Sequence, residues 1–168
     1  MRVWRIYDPE AAYALLPNFD PLDGQGAALY PGRWNKAGVR MVYTSQTPEL
    51  AMLELLTKLN PAAFGVRLAI EIDVPNDARV QDAAPAMLGH LLRGEEGDMQ
   101  TYGTGWAATG QSLVLRVPSA VLPVSSNYLL NPLHPQAERL RIVRQVEVGM
   151  DPRLVRNLGN RRGSDTEP

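Results

Sequence analysis

From Val66 to Val74 the chain alternates without a slip. Val66, Leu68, Ile70, Ile72 and Val74 share one face, and Arg67, Ala69, Glu71 and Asp73 take the other. A period of two is the signature of a strand, because a helix would scatter those five apolar side chains around its axis. Four further stretches read as strands on the same grounds. They are Val3–Tyr7, with Val3, Arg5 and Tyr7 on one face; Val39–Thr44; Ser112–Val117; and Arg139–Val148. Ala120–Val124 reads as another short strand, separated from its predecessor by Pro118-Ser119.

Helices are fewer. The clearest starts at Thr47, an N-cap followed by Pro48 at the first helical position and Glu49 in the positive first turn. It is predicted to run to about Asn60, before Pro61, burying Met52, Leu55, Leu56 and Leu59 as one stripe. Glu10–Leu16 and Asp82–Arg93 also read as helices. Asp98–Thr109 is a weaker one, interrupted by Gly103 and Gly105. Residues 17–38 hold Pro17, Pro21, Pro31 and several glycines and read as one long loop, a feature that in a compact domain usually serves function. The sum is a compact, mixed α+β domain over residues 1–155, with more strand than helix. The polar stretch from Asp151 onward leads into a tail, 156–168, expected to be disordered.

With 168 residues the chain is long enough for one well-buried core. It has no cysteine, which removes disulfides, cysteine nucleophiles, iron–sulfur clusters and thiolate zinc sites, and fits a reducing cytoplasm. Two histidines, His90 and His134, poorly supply a Ser-His-Asp triad or a multi-histidine metal site, so no metal is expected. The formal charge of -1 gives no reason to expect nucleic acid or an anionic membrane as partner. No apolar run approaches the ~20 residues of a membrane span, and the N-terminus shows no secretion leader. Lys36 and Lys58 are the only lysines, and neither sits in a phosphate-binding loop. Gly24-Gln25-Gly26 lacks the third small residue of a dinucleotide fingerprint, since Leu29 stands there.

The residues that carry chemistry are scattered. Gly32-Arg33-Trp34-Asn35 puts a guanidinium, an indole and an amide at the end of the glycine-rich loop. Arg33 offers a planar fork for phosphate or carboxylate and Trp34 a stacking face. Equally, Trp34 can plug the core while Arg33 pairs with a surface acid. Glu54 falls opposite the Met52/Leu56/Leu59 stripe, where a solvated pairing with Lys58 is the plain alternative. Arg5, mid-strand, needs an anionic partner, either an acid of the protein or a ligand.

Taken in order, these segments resemble the RES domain family, the toxins of bacterial RES–Xre toxin–antitoxin pairs. The matching residues are Trp4-Arg5-Ile6, Gly32-Arg33-Trp34-Asn35, Val42-Tyr43-Thr44-Ser45, Leu50-Ala51-Met52-Leu53-Glu54, Leu115 to Ala120, and Asn127 to Pro135. The resemblance implies a mostly antiparallel β core with flanking helices, similar to the diphtheria-toxin type of ADP-ribosyltransferase. It implies action on NAD as substrate, with no further cofactor: cleavage of the nicotinamide–ribose bond by water or phosphate, or transfer of ADP-ribose to a protein. It implies Arg33, Glu54, Tyr43 and Ser119 as catalytic residues, with Ser125 and Ser126 as rivals of Ser119. Arg5, Trp34 and Asn127 are implied to bind NAD, and an Xre-type antitoxin is the implied partner. A non-catalytic nucleotide-binding or protein-interaction module is the reading of a different class.

Overall fold

The computed structural model describes residues 1–58, 65–151 and 153. Seven strands form one sheet. They are β1 (Arg2–Tyr7), β2 (Val42–Ser45), β3 (Arg67–Asp73), β4 (Val80–Asp82), β5 (Val114–Pro118), β6 (Ser126–Leu130) and β7 (Arg141–Val148). Their spatial order is β4-β5-β6-β2-β1-β3-β7, antiparallel throughout except for the β4–β5 pair. Among the described residues it is accompanied by the helices α1 (Gln25–Leu29), α2 (Pro48–Leu56), α3 (Ala86–Arg93) and α4 (Glu96–Thr109). The α+β class with a mostly antiparallel sheet is the one expected.

Two apolar clusters cover the sheet. Val3, Val42, Ile70, Ile72, Val114 and Leu130 belong to one; Trp34, Met41, Met99, Trp106, Leu115 and Leu129 belong to the other. Neighbours along a strand point to opposite faces, so Val114/Leu115 and Leu130/Leu129 place these clusters on the sheet's two sides. Both faces of β5 and β6 are therefore buried, which is why Leu129 and Leu130 are equally inaccessible. At the far edge β7 is exposed along nearly its whole length.

Several elements differ from the sequence expectation. Residues 10–16 form consecutive turns rather than a helix, with Leu15 N–H donating to Ala11 O at 3.2 Å. Pro9 and Pro17 bracket a segment too short to present an apolar face, and Leu15 stays 70% exposed. The long loop contains α1, which starts from Gly24 in the left-handed conformation after Asp23 Oδ1 accepts from Gln25 N–H at 2.7 Å. Residues 120–124 make a turn, with Val124 fully out in solvent, and the strand lies further on as β6. The reason is local: the Ser119 hydroxyl accepts from Val121 and Leu122 N–H at 3.1 and 3.0 Å, closing a turn where a strand would need open backbone groups. Residues 80–82 are strand β4, so the next helix begins only after Pro85. In α2 the buried residues are Leu50 and Ala51; Met52, Leu55 and Leu56 are half-buried. The expected extension of α2 to Asn60, the fourth stripe residue Leu59 and the tail 156–168 lie outside the described residues.

Gly103 weakens α4 on intrinsic propensity, yet α4 is the longest helix among the described residues. A side chain there would collide with the Trp34 carbonyl oxygen. The glycine lets the segment around Trp34 lie directly on the helix. Gly103→Ala is expected to lower stability by about 2 kcal/mol or more through overpacking against backbone, read as a shift in thermal midpoint.

Candidate active site

The glycine-rich loop ends in a knot tied by Asn35, which is fully buried. Its Nδ2 donates to the carbonyls of Ala27, Lys36 and Val39, at 2.8, 3.1 and 3.1 Å. Its Oδ1 accepts from Gly32 N–H at 2.9 Å and from the Tyr43 hydroxyl at 2.7 Å. Tyr43, on β2, also accepts from Trp34 N–H at 2.9 Å. A Cβ on residue 32 would stand 2.6 Å from the Tyr43 hydroxyl, so only glycine lets the loop pass. Burial pushes the Tyr43 pKa far above the ordinary tyrosine value, although the Trp34 N–H bond and Arg33 pull it down. The phenol therefore stays protonated as a donor to Asn35.

Beside this loop opens a cavity of about 440 Å³, within the usual range for small-molecule sites. Arg5, Arg33, Tyr43, Glu54, Lys58 and Asn127 line it. A smaller space of about 120 Å³ shares Arg5, Tyr43, Glu54, Lys58 and Asn127 with it. Side chains from β1, the loop, β2, α2 and β6 thus converge on one place.

Glu54 is held from below. Ser119 Oγ donates to its Oε1 at 2.7 Å and Asn127 Nδ2 donates to the same oxygen at 2.6 Å. Ser45 Oγ donates in turn to Asn127 Oδ1 at 2.7 Å, which fixes the amide's orientation. Glu54 Oε2 has no hydrogen-bond partner among the described residues, and no ion pair joins Glu54 to Lys58. Of the serines considered, it is Ser119, completely buried, and not Ser125 or Ser126, whose hydroxyl reaches Glu54. Ser119 does not line the cavity; it supports the residue that does.

Arg5 is half-buried, its Nε is buried without a hydrogen bond, and it forms no ion pair among the described residues. Loss of hydration lowers its pKa, opposed by Tyr13 and Asp23. Arg33 has one distant partner, Glu96 of α4, at 3.7 Å. Lys58 is exposed as a residue, but its ammonium stands in the cavity wall, 5.5 Å from the centre of the Tyr43 ring. Desolvation there lowers its pKa, with Glu54 acting against the shift.

Trp34 touches the cavity wall but is 4% exposed. Its indole packs edge-on against Tyr102 within the core cluster, which leaves little surface to stack on a ligand. Tyr30, 63% exposed at the cavity rim and packed against the Tyr13 ring at 6.4 Å, has the accessible ring surface that Trp34 lacks. Sequence reasoning passed over Ser45 and Tyr30, and read Lys58 only as a partner for Glu54. Ser45 stood in a matching segment and Lys58 is one of two lysines; Tyr30 carried no signal. His134 Nδ1 caps the 3₁₀ turn Pro135–Arg139, and His90 Nδ1 faces Glu95 and Asp98 at the α3–α4 corner, so both histidines are engaged elsewhere.

Comparison with known proteins decides the family. The model of the RES domain matches residues 2–151. The chain belongs to the RES domain family. A protein of Sphingobium sp. named "Prs ADP-ribosylating toxin" is 33% identical over 91% of this chain and 96% of its own length. "Toxin Res" of Pseudomonas putida is 37% identical over 88% of this chain and 94% of its own. The RES domain also aligns with a chain of the Mycobacterium tuberculosis MbcT–MbcA toxin–antitoxin complex, with a TM-score of 0.66 at 19% identity, covering 94% of this chain and 87% of that one. At that identity the likeness concerns the fold. No helix of this RES domain, among the described residues, is long and apolar enough to cross a membrane.

Proposed function

We propose that this RES domain is a toxin that consumes NAD in the cytoplasm by breaking the nicotinamide–ribose bond. The supporting observation is Glu54, bound through Oε1 by Ser119 and Asn127 while Oε2 is left to the cavity that Arg5, Arg33 and Tyr43 also line. Cleavage sends the bonding electron pair to the nicotinamide nitrogen, which leaves neutral, and puts positive charge on the ribose carbon. A fixed carboxylate beside that carbon stabilises the charge as it develops, and its free oxygen can accept from a ribose hydroxyl. Because the leaving group is a pyridinium, no general acid is needed. That suits a cavity with no histidine in its wall. Water or phosphate then attacks the ribose carbon and gives up a proton to solvent.

Arg5 and Arg33 serve the pyrophosphate. Arg5, with no ion pair among the described residues and a partly desolvated guanidinium, binds an anion with a strength that a solvated one lacks. Tyr43 offers a rigid ring for the nicotinamide. Product analysis after incubation with NAD, with and without phosphate, tests the reading. Free nicotinamide with ADP-ribose or its 1-phosphate is expected, and intact NAD would refute it.

Ser119→Ala removes one of two donors to Glu54 and leaves two backbone N–H groups without their acceptor. A roughly tenfold loss in kcat with little change in KM is expected, together with about 1 kcal/mol of stability. Steady-state kinetics alongside a thermal melt separate the two effects.

The name of the Sphingobium relative favours a second reading on the same geometry, transfer of ADP-ribose to a protein. Labelled NAD would then mark a macromolecule, with slow turnover in buffer. Either activity would harm the cell that makes it. An antitoxin, of the Xre type in this family, is the partner we infer, and a toxin–antitoxin complex is what the aligned structure is named for.

A further inference from the structure

Lys58 has no part in the account above, yet it stands in the same cavity wall. Its ammonium lies 5.5 Å from the Tyr43 ring centre and makes no hydrogen bond or ion pair among the described residues. Four other groups set its surroundings. Glu54, one turn earlier on α2, attracts it; Arg33 from the loop and Arg5 from β1 repel it; Glu96 from α4 attracts it more weakly. Salt-bridge chemistry with Glu54 would hold this ammonium within 4 Å of the carboxylate, and that contact is not made.

We propose that Lys58 is a positioning residue for charge: its ammonium makes the Tyr43 end of the cavity hostile to a pyridinium and hospitable to neutral nicotinamide. The inference rests on the NAD reading and adds the electrostatic reason for the bond to break there. Before cleavage the positive charge is on the nicotinamide ring. As the C–N bond opens, its electron pair neutralises that ring and the charge passes to the ribose carbon. On that reading the charge leaves the ring stacked on Tyr43, which Lys58 faces at 5.5 Å, for the ribose carbon beside Glu54. A cation fixed at the first place and an anion at the second favour the same displacement. Lys58 raises the energy of the bound substrate more than that of the transition state, whereas a phosphate-binding lysine would stabilise both equally.

The two roles separate in kinetics. Lys58→Met, at an exposed position that tolerates the change, is expected to lower kcat about tenfold and to lower KM as well, because ground-state repulsion is relieved. Lys58→Arg, which keeps the charge, restores kcat to near the parent value. The pH profile supplies a second readout. Since desolvation lowers the Lys58 pKa, the parent loses kcat at a pH below that at which an ordinary lysine deprotonates. Tyr43, whose pKa is raised, does not titrate in that window. In Lys58→Arg the guanidinium stays charged, so the alkaline limb disappears.

Nicotinamide release from NAD, followed with phosphate present and again with a cell lysate as acceptor, gives both parameters. If Lys58→Met raises KM with kcat unchanged, or leaves both unchanged, or if the alkaline limb persists in Lys58→Arg, this inference is overturned and the NAD reading stands. If the parent protein releases no nicotinamide under either condition, the NAD reading falls and the inference with it.

Discussion

Glu54→Gln is expected to slow nicotinamide release by roughly 10²–10⁴-fold while leaving the fold intact, and to abolish growth arrest when expressed without an antitoxin. The substitution keeps the side chain's size and at Oε1 keeps an acceptor for Ser119 and Asn127. What it removes is the negative charge opposite the developing ribose cation. In a partly desolvated cavity that charge acts through a low effective dielectric, so its loss outweighs that of any single hydrogen bond at the site. A thermal melt close to that of the parent, combined with collapsed turnover, is the expected pair of results. Undiminished turnover would show that the carboxylate is structural, and the non-catalytic reading would then hold.

Arg5→Met, by contrast, should raise stability while weakening substrate binding. The guanidinium is desolvated without a hydrogen-bond or ion-pair partner among the described residues, its Nε buried and unbonded. An apolar side chain of similar length fits the same half-buried place on β1 and has no polar atoms to satisfy. Stability is expected to rise by about 1 kcal/mol, some 2–4 °C in Tm for a domain of this size. KM for NAD should rise about 100-fold or more, because the pyrophosphate loses a charge-assisted, bidentate contact. Calorimetry of the unliganded protein and steady-state kinetics read the two effects separately. A fall in Tm would mean that Arg5 serves the fold.

How much of this could be read from the chain alone varies by element, for physical reasons. The alternation at 66–74 and the Thr47-Pro48 start were plain because each reflects a local rule: side chains alternate across a strand, and a hydroxyl accepts from the first turn of a helix. Thr47 does accept from Leu50 N–H at 3.2 Å. Other segments turned on single contacts that leave no periodic trace. Whether residues 120–124 form a strand or a turn depends on one hydroxyl of Ser119, and α4 depends on what Gly103 lies against. Neither fact has a sequence period. Arg5, Arg33, Tyr43, Glu54 and Asn127 were named from resemblance, and the fold brings them to one cavity. Trp34 looked alike as ligand platform or core plug because an indole suits both; only packing against Tyr102 separates them. Ser45 escaped notice because its partner, Asn127, is 82 residues away.

The two donors that fix Glu54 lie 65 and 73 residues further along the chain. During synthesis the acid therefore leaves the ribosome long before either anchor exists, and β6, the strand that bears Asn127 and pairs with β2, is among the last to be made. A translation product that stops short of β6 carries Arg5, Arg33 and Glu54 but lacks Asn127, one of the two donors that hold the carboxylate. Glu54 is therefore fully held only once β6 has joined the sheet beside β2.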